Sequence, residues 1–145
     1  MKTTQEYKRL LKLKYRFNKE VWSSSVGIPF IGYNHIIKSN EYFDKTITKK
    51  EANLLYDKDI KCIERFLNRS LPNKIPQRHF DIMVSLCYDI GTKAFKNSSF
   101  FNFYILGEVN EAFTYFLVWG RVKGENSQSL LKRRKEELKY IFHTV

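Results

Sequence analysis

Carboxyl groups are the most direct route this sequence has to bond-breaking chemistry, and ahead of His35 it holds only two, Glu6 and Glu20. Acid–base cleavage needs one group that delivers a proton and a second, ionised group that activates the attacking water. Further along, Asp44 follows a stretch of short β-branched and aromatic runs, and Asp89 lies in Cys87-Tyr88-Asp89-Ile90-Gly91, at the end of a helical pattern. Nothing pairs Asp89 with a second carboxyl at a known spacing, so a helix-end acid with a structural hydrogen bond is the better reading and a ligand group the alternative. His35 has no Cys or second His nearby, which makes a metal site a poor reading and a structural role the better one. Cys62 and Cys87 fall on apolar helix faces and read as buried thiols rather than as a disulfide or a nucleophile. No cofactor and no metal is implied.

The elements that must position these groups can be read from periodicity. Thr48 followed by Glu51 forms a capping box, after which Ala52, Leu55, Ile60, Ile63 and Leu67 keep helical spacing until Leu71-Pro72 stops the run. A second helix shows Phe80, Met83, Val84, Cys87 and Tyr88 on one face, with Gly91 as its C-cap. Ser99 to Leu106 is almost wholly apolar and predicts a buried central helix ending at Gly107. A fourth helix runs from about Glu111 to Trp119, with Phe113, Phe116 and Leu117 inward and Gly120 closing it. The last carries Leu131, Leu138, Ile141 and Phe142 on one face. Between Trp22 and Ile37, Ser- and Gly-containing segments flank short β-branched and aromatic runs, a pattern of strands and hairpin turns. A chain of 145 residues suits one domain. The expectation is an α+β fold, with a small N-terminal β lobe at about 16–45 and a larger helical lobe at about 46–145 joined by the N-terminal helix.

Lysine and arginine outnumber aspartate and glutamate by 26 to 15, a formal charge of +11. Such a surplus serves solvation and also attracts polyanions: bacterial walls with their teichoic acids, anionic lipid surfaces or nucleic acids. Apart from Lys132–Lys135 the basic residues are spread along the chain, and no zinc spacing or RNA-binding aromatic signature accompanies them. Nucleic acid is therefore only a minor alternative. No apolar run is long enough for a membrane span, and Met1 to Lys14 lacks the apolar core of a signal peptide. The chain is expected to stay inside the cell or to leave it by another route.

The segment Val26-Gly27-Ile28-Pro29-Phe30-Ile31-Gly32-Tyr33-Asn34-His35 resembles the V-G-x-x-T-I-G-Y-G-H hallmark of phage-type lysozymes, the muramidases of glycoside hydrolase family 24. Further segments follow in the family's order: Ile47-Thr48-Lys49-Lys50-Glu51-Ala52, Gln77-Arg78-His79-Phe80-Asp81, Ala94-Phe95-Lys96-Asn97-Ser98-Ser99, Trp119-Gly120, and Leu130-Leu131-Lys132-Arg133-Arg134 with Glu137. The resemblance implies a lysozyme-like fold and, in the family, cleavage of peptidoglycan by a Glu and an Asp helped by the hallmark's Thr. Here the Thr position holds Phe30, the Asp position falls on Ser24 and the Glu position on Tyr15. In the family the hallmark His is tied to an acid, which implies a structural role for His35 beside Gly32. Asn34 replaces the second Gly of the motif and tolerates a left-handed backbone better than most residues.

Hydrolysis of a glycosidic bond by inversion uses two carboxyls roughly 6.5–9.5 Å apart. A Tyr is poorly matched to proton delivery at neutral pH, Ser24 cannot deprotonate a water, and Phe30 puts a ring where the water would be ordered. The resemblance thus implies a scaffold whose acid, base and water site are all replaced. Three functions compete. The first is an inactive lysozyme-like domain that binds peptidoglycan glycan, through Phe30, Tyr33 and Asp89, or serves as an interaction module for a protein partner in a cell-envelope or virion assembly. The second is an active muramidase with relocated carboxylates, and the third is a basic nucleic-acid-binding domain.

Overall fold

The computed structural model describes residues 1–122, 125–126 and 128–142. Its elements, in order, are helix α1 (Gln5–Leu13), strands β1 (Asn18–Ser23), β2 (Pro29–Gly32) and β3 (His35–Ile36), and helix α2 (Lys49–Ser70). Helices α3 (Gln77–Ile90), α4 (Thr92–Lys96), α5 (Ser99–Ile105) and α6 (Val109–Thr114) follow. A 3-10 turn (Phe116–Gly120), the short hairpin β4 (Arg121–Val122) and β5 (Glu125–Asn126), and helix α7 (Gln128–Phe142) complete the chain. Many helices beside a small antiparallel sheet give the expected α+β class. The strands begin at Asn18, four residues before the start expected at Trp22. No described helix is long and apolar enough to cross a membrane.

Two compact units divide the chain: Thr4–Cys62, and Met1–Thr3 with Ile63–Val145. The last three residues of the second lie outside the described residues. In the first unit α1 is capped by Thr4, whose side chain accepts the Tyr7 N–H. It turns Tyr7 and Leu11 inward and is laced to α2 at three points. Lys8 pairs with Asp57 at 2.8 Å, the Tyr56 hydroxyl donates to the Lys8 carbonyl at 2.7 Å, and the Lys12 ammonium donates to Asn53 at 2.9 Å. The sequence reading put the N-terminal helix with the helical body. These bonds run to the first half of α2.

The expected capping box opens α2. The Glu51 N–H donates to the Thr48 hydroxyl at 3.1 Å, and the Thr48 N–H donates back to the Glu51 carboxylate at 3.1 Å. Its inward residues Ala52, Ile60, Ile63 and Leu67 are the ones periodicity picked, and Tyr56 joins them. The sheet runs β1-β2-β3, antiparallel throughout. Alternation along β2 sends Ile31 into a small core with Ile47 and Ala52, while Phe30 points the other way. Trp22, Phe30 and Ile36 are direct partners across the strands, so they form one row on that outward face.

In the second unit α3 is buried along nearly its whole length, from Phe80 to Tyr88, and stops at Gly91 with φ 86° as expected. A ring cluster fills the space beside it. Phe100 lies 5.2 Å from Phe113 and 5.4 Å from Phe116, and Phe95 lies 4.9 Å from Phe101. Three expectations need correcting here. α5 is not a buried central helix: Phe100, Phe101 and Tyr104 are inward, but Leu106 is 74 % exposed. The helix expected from Glu111 to Trp119 breaks at Tyr115, which lets a 3-10 turn bury Phe116 while leaving Leu117 exposed. On α7 the fully buried positions are not the apolar ones but Arg134 and Glu137, and Phe142 is 61 % exposed. An apolar count alone misses a helix that packs through an internal ion pair. Cys87 is buried and Cys62 half-buried, and neither is in a disulfide.

Gly32 is the tightest point of the first unit. Its φ is +68°, and a Cβ there would stand 3.2 Å from the Ala52 Cβ and 3.5 Å from Ile47 Cδ1. Gly32→Ala combines a left-handed penalty with overpacking and is expected to lower stability by about 1–3 kcal/mol. In a chain of this size that is a fall of roughly 3–10 °C in melting temperature. An unchanged melting curve would contradict the close approach of sheet and helix.

Candidate functional site

The chemistry-bearing side chains of the first unit gather on and beside the three-stranded sheet. Tyr15 follows the α1 C-terminus, where its N–H donates to the Lys12 carbonyl at 3.0 Å, and it is buried, 7 % exposed. Ser24 opens the β1–β2 turn. Its N–H donates to the Ile28 carbonyl at 2.9 Å, its carbonyl accepts from Gly27 at 2.9 Å, and its hydroxyl accepts the Ile28 N–H at 3.2 Å. Both Ser24 hydrogen-bonding ends therefore serve the turn. Phe30 stacks on Trp22 with centroids 4.7 Å apart and planes 20° apart. Between Asn18, opposite Gly32, and Trp22, opposite Phe30, β1 carries a bulge that sets the Trp22 ring against Phe30.

The outward row is half in solvent. Trp22 is 37 % and Ile36 40 % exposed, and Phe30 is half-buried between them. Tyr33 sits differently. Its ring lies 5.6 Å from Phe17, 6.4 Å from Tyr56 and 5.7 Å from the Lys12 ammonium, so packing and a cation–π contact occupy it. Glu6, Glu20 and Asp44 are all exposed. Asn34, at φ 58°, holds the left-handed turn position between β2 and β3.

His35 is the most constrained polar group of this unit. It is 4 % exposed, with Nδ1 at 2.6 Å from Asp59 Oδ2 and Nε2 at 3.0 Å from Glu41 Oε1. Glu41 also accepts the Lys38 N–H at 2.9 Å, so the same carboxylate ties the loop after β3. Burial alone would lower the His35 pKa. The hydrogen bond and charge of Asp59, followed by those of Glu41, outweigh it and raise the value above the ordinary 6.5. Burial likewise would raise Glu41, but the Lys38 N–H and then His35 hold it below 4.5. Only the doubly protonated imidazolium can donate to both carboxylates at once. Reading the His as tied to one acid missed Glu41, whose distance of six residues along the chain gives no pattern signal.

Asp89 belongs to the second unit. Its side chain is 6 % exposed, accepts from Arg133 at 2.7 and 2.8 Å, and pairs with Arg134 at 2.6 Å. Arg134, fully buried, also reaches Glu137 at 2.6 Å and Ser85 at 3.3 Å. The sequence showed Arg133 and Arg134 as part of a family-like segment and a basic run, without a partner; they turn inward and pair with the buried Asp89 carboxylate. Of the three ligand candidates, then, Phe30 is on an accessible face, Tyr33 is packed, and Asp89 is clamped by arginines.

Comparison with known proteins places this geometry. Residues 16–137 match the phage lysozyme family model. The endolysin of Bacillus phage PZA is 31 % identical over 107 residues, 74 % of this chain but only 41 % of that endolysin, so the chain matches about two-fifths of its length. The endolysin of Salmonella phage P22 is 29 % identical over 121 residues, covering 81 % of this chain and 82 % of the endolysin. Among solved structures, the muramidase domain of SpmX from Asticaccaulis excentricus superposes with a TM-score of 0.80 over 99 % of both chains at 24 % identity, which shows a lysozyme-like fold.

Two measurements probe the ion clusters. The raised His35 pKa adds stability that is complete below 6.5 and disappears as pH rises through the folded value. The lowered Glu41 pKa adds stability present above 4.5 and lost as pH falls through its own folded value. Thermal unfolding should therefore show the largest contribution of the cluster between those two values. His35→Gln should remove the decline on the alkaline side, and a wild-type curve flat above pH 6.5 would contradict the bridge. Asp89→Ala leaves buried arginines undercompensated and should cost about 3 kcal/mol in ligand-free unfolding. No loss there would free Asp89 for a ligand role.

Proposed function

Because this chain belongs to the phage lysozyme family, we propose that it is a non-hydrolytic member, a pseudo-muramidase that holds peptidoglycan glycan on the outward face of its sheet without cutting it. The observation that carries this reading is the Trp22–Phe30–Ile36 row. On the motif alignment Phe30 stands where the family has Thr, and the row makes apolar what would be the water-ordering position. The other two aligned positions contribute no acid. Tyr15 is buried, and the Ser24 hydroxyl is engaged in its turn. A stacked Trp–Phe pair offers flat apolar surface to the C–H faces of sugar rings, and the exposed cations favour an anionic wall. The bulk of a ring at Phe30 also suits a protein segment laid on the sheet, which keeps an assembly role as the second reading.

The endolysin relatives supply the opposing case, in which activity survives through acids elsewhere, such as Glu20 or Asp44. Incubation with purified peptidoglycan separates the two. The expected result is no released muropeptide, together with sedimentation of the protein on insoluble walls. Release abolished by Glu20→Gln or Asp44→Asn would overturn the proposal. Phe30→Ala should weaken wall binding by about tenfold, equivalent to 1.4 kcal/mol. Wall binding that vanishes at about 0.3 M salt would mean that surface charge alone was responsible. Acid and base act as a unit, so Tyr15→Glu, Ser24→Asp or Phe30→Thr alone should restore nothing, and only the three together can restore cleavage.

A further inference from the structure

The sheet order makes β1 an edge strand. Antiparallel pairing turns successive backbone groups alternately toward a neighbour and away from it. The Ser24 N–H donates to the Ile28 carbonyl at 2.9 Å, so alternation makes Trp22 and Phe30 the next hydrogen-bonded pair. The N–H and C=O groups of Val21 and Ser23 then point to the open edge. Among the described residues, no segment bonds to either from that side. Val21 is 44 % exposed and Ser23 is exposed too, so solvent reaches them. The open stretch is bounded at both ends. Toward the N-terminus the Lys19 carbonyl accepts the Ile47 N–H at 2.9 Å, and beyond Ser23 the Ser24 backbone and hydroxyl serve the turn. Charges commonly guard such an edge. Here Lys19 and Glu20 lie on the Asn18 side, and Val21 to Ser23 carry none.

The open groups are complementary to themselves. A second copy laid antiparallel on this edge, about a two-fold axis, pairs Val21 with Ser23 of the second copy and Ser23 with its Val21. Both are hydrogen-bonding pairs, each exchanging two bonds, and Trp22 meets Trp22 of the second copy at the close, non-bonded position between them. Sliding one way would need the Lys19 carbonyl that Ile47 already occupies, and sliding the other way would need the turn. One register remains. In it Glu20 falls opposite Ser24 and Lys19 opposite Ser25, so no like charges meet. The Ile36, Phe30 and Trp22 row of one copy also runs on into Trp22, Phe30 and Ile36 of the other. A strand from another protein would satisfy the backbone groups, but the matched register and the joined row belong to self-pairing.

We propose that β1 is a self-association edge, through which two copies of this chain join their sheets in an isologous dimer. The pairing is made by backbone groups and stands whether or not the outward face binds glycan. One short strand pair belongs to the weak class of interfaces, below about 1,200 Å². Association is therefore expected at chain concentrations of about 0.1–1 mM. Each copy carries +11, so the copies repel, and raising salt from about 0.15 to about 0.5 M should strengthen the dimer. Sedimentation equilibrium of the whole chain should show monomer and dimer and nothing larger, because the two-fold axis uses up the edge. Val21→Pro removes a donor that serves no bond within the sheet, and should weaken association by about tenfold or more in a chain that circular dichroism shows folded. Leu54→Ser, which removes an exposed apolar group from α2, should change it by less than about twofold. Cross-linking tests the register independently of Val21→Pro. Under mild oxidation Trp22→Cys should give a disulfide-linked dimer, because directly opposite Cβ atoms stand within about 5.5 Å. Glu20→Cys, which faces Ser24 instead, should give about fivefold less or lower still. A chain that stays monomeric at about 1 mM would overturn the proposal and leave the edge to a strand of another protein. So would association that a folded Val21→Pro chain retains, or that Leu54→Ser weakens as much. Growth beyond the dimer, or equal cross-linking by the two cysteine variants, would overturn it as well.

Discussion

The bridge from His35 to Asp59 and Glu41 is the interaction on which the first unit is hung. One imidazolium joins the last strand to α2 through Asp59 and to the following loop through Glu41. Because β3 is only two residues long, backbone pairing alone would hold it weakly. A buried charge pair is poor evidence of net stability, since desolvation offsets attraction, but it fixes register strongly. Here it fixes which side of the sheet meets α2. With His35 and Ile31 inward, alternation leaves Phe30 and Ile36 outward, and a slip of one residue would bury Phe30 and expose the imidazole.

That constraint separates scaffold from chemistry. Gly32 against Ala52, His35 in its carboxylate clamp and Asn34 in the left-handed turn all act on the inward side or at the turn. The residues at the aligned positions of the family's Glu, Asp and Thr lie outside this framework: Tyr15 after α1, Ser24 in the opposite turn, Phe30 on the outward face. On the reading proposed above, replacing all three leaves the hallmark's structural part intact. Tyr15 adds buried apolar surface, the Ser24 hydroxyl closes a turn, and Phe30 gains a stacking partner in Trp22. On that same reading, each exchange would return a local contact for the group it removes, so the fold need not weaken.

Much of the fold was legible because its signals are local. The Thr48–Glu51 box, the inward stripe of α2, the Gly91 stop and the tolerance of Asn34 all follow from neighbours within a few residues, and each appears in place. What escaped the sequence depends on partners far along the chain. Arg133 and Arg134 have no visible partner in the sequence, because Asp89 lies more than forty residues earlier. The break at Tyr115 and the exposure of Leu106 and Leu117 depend on which rings of the Phe100 cluster win the interior, and composition cannot rank them. The outward row was half legible: Phe30 was marked as unusual, but its partnership with Trp22 and Ile36 required the register.

The same sorting of charge links fold to surface. Asp89 and Glu137 are drawn inward by arginines, Asp59 and Glu41 by His35, and Asp57 and Glu64 by groups on neighbouring segments. An acid held this way still counts in the net charge, but its field is largely cancelled by an adjacent donor or cation. On α2 the carboxylates divide: Asp59 is drawn to His35 and Asp57 to Lys8, while Glu51 stays exposed at the capping box, where its contacts are local.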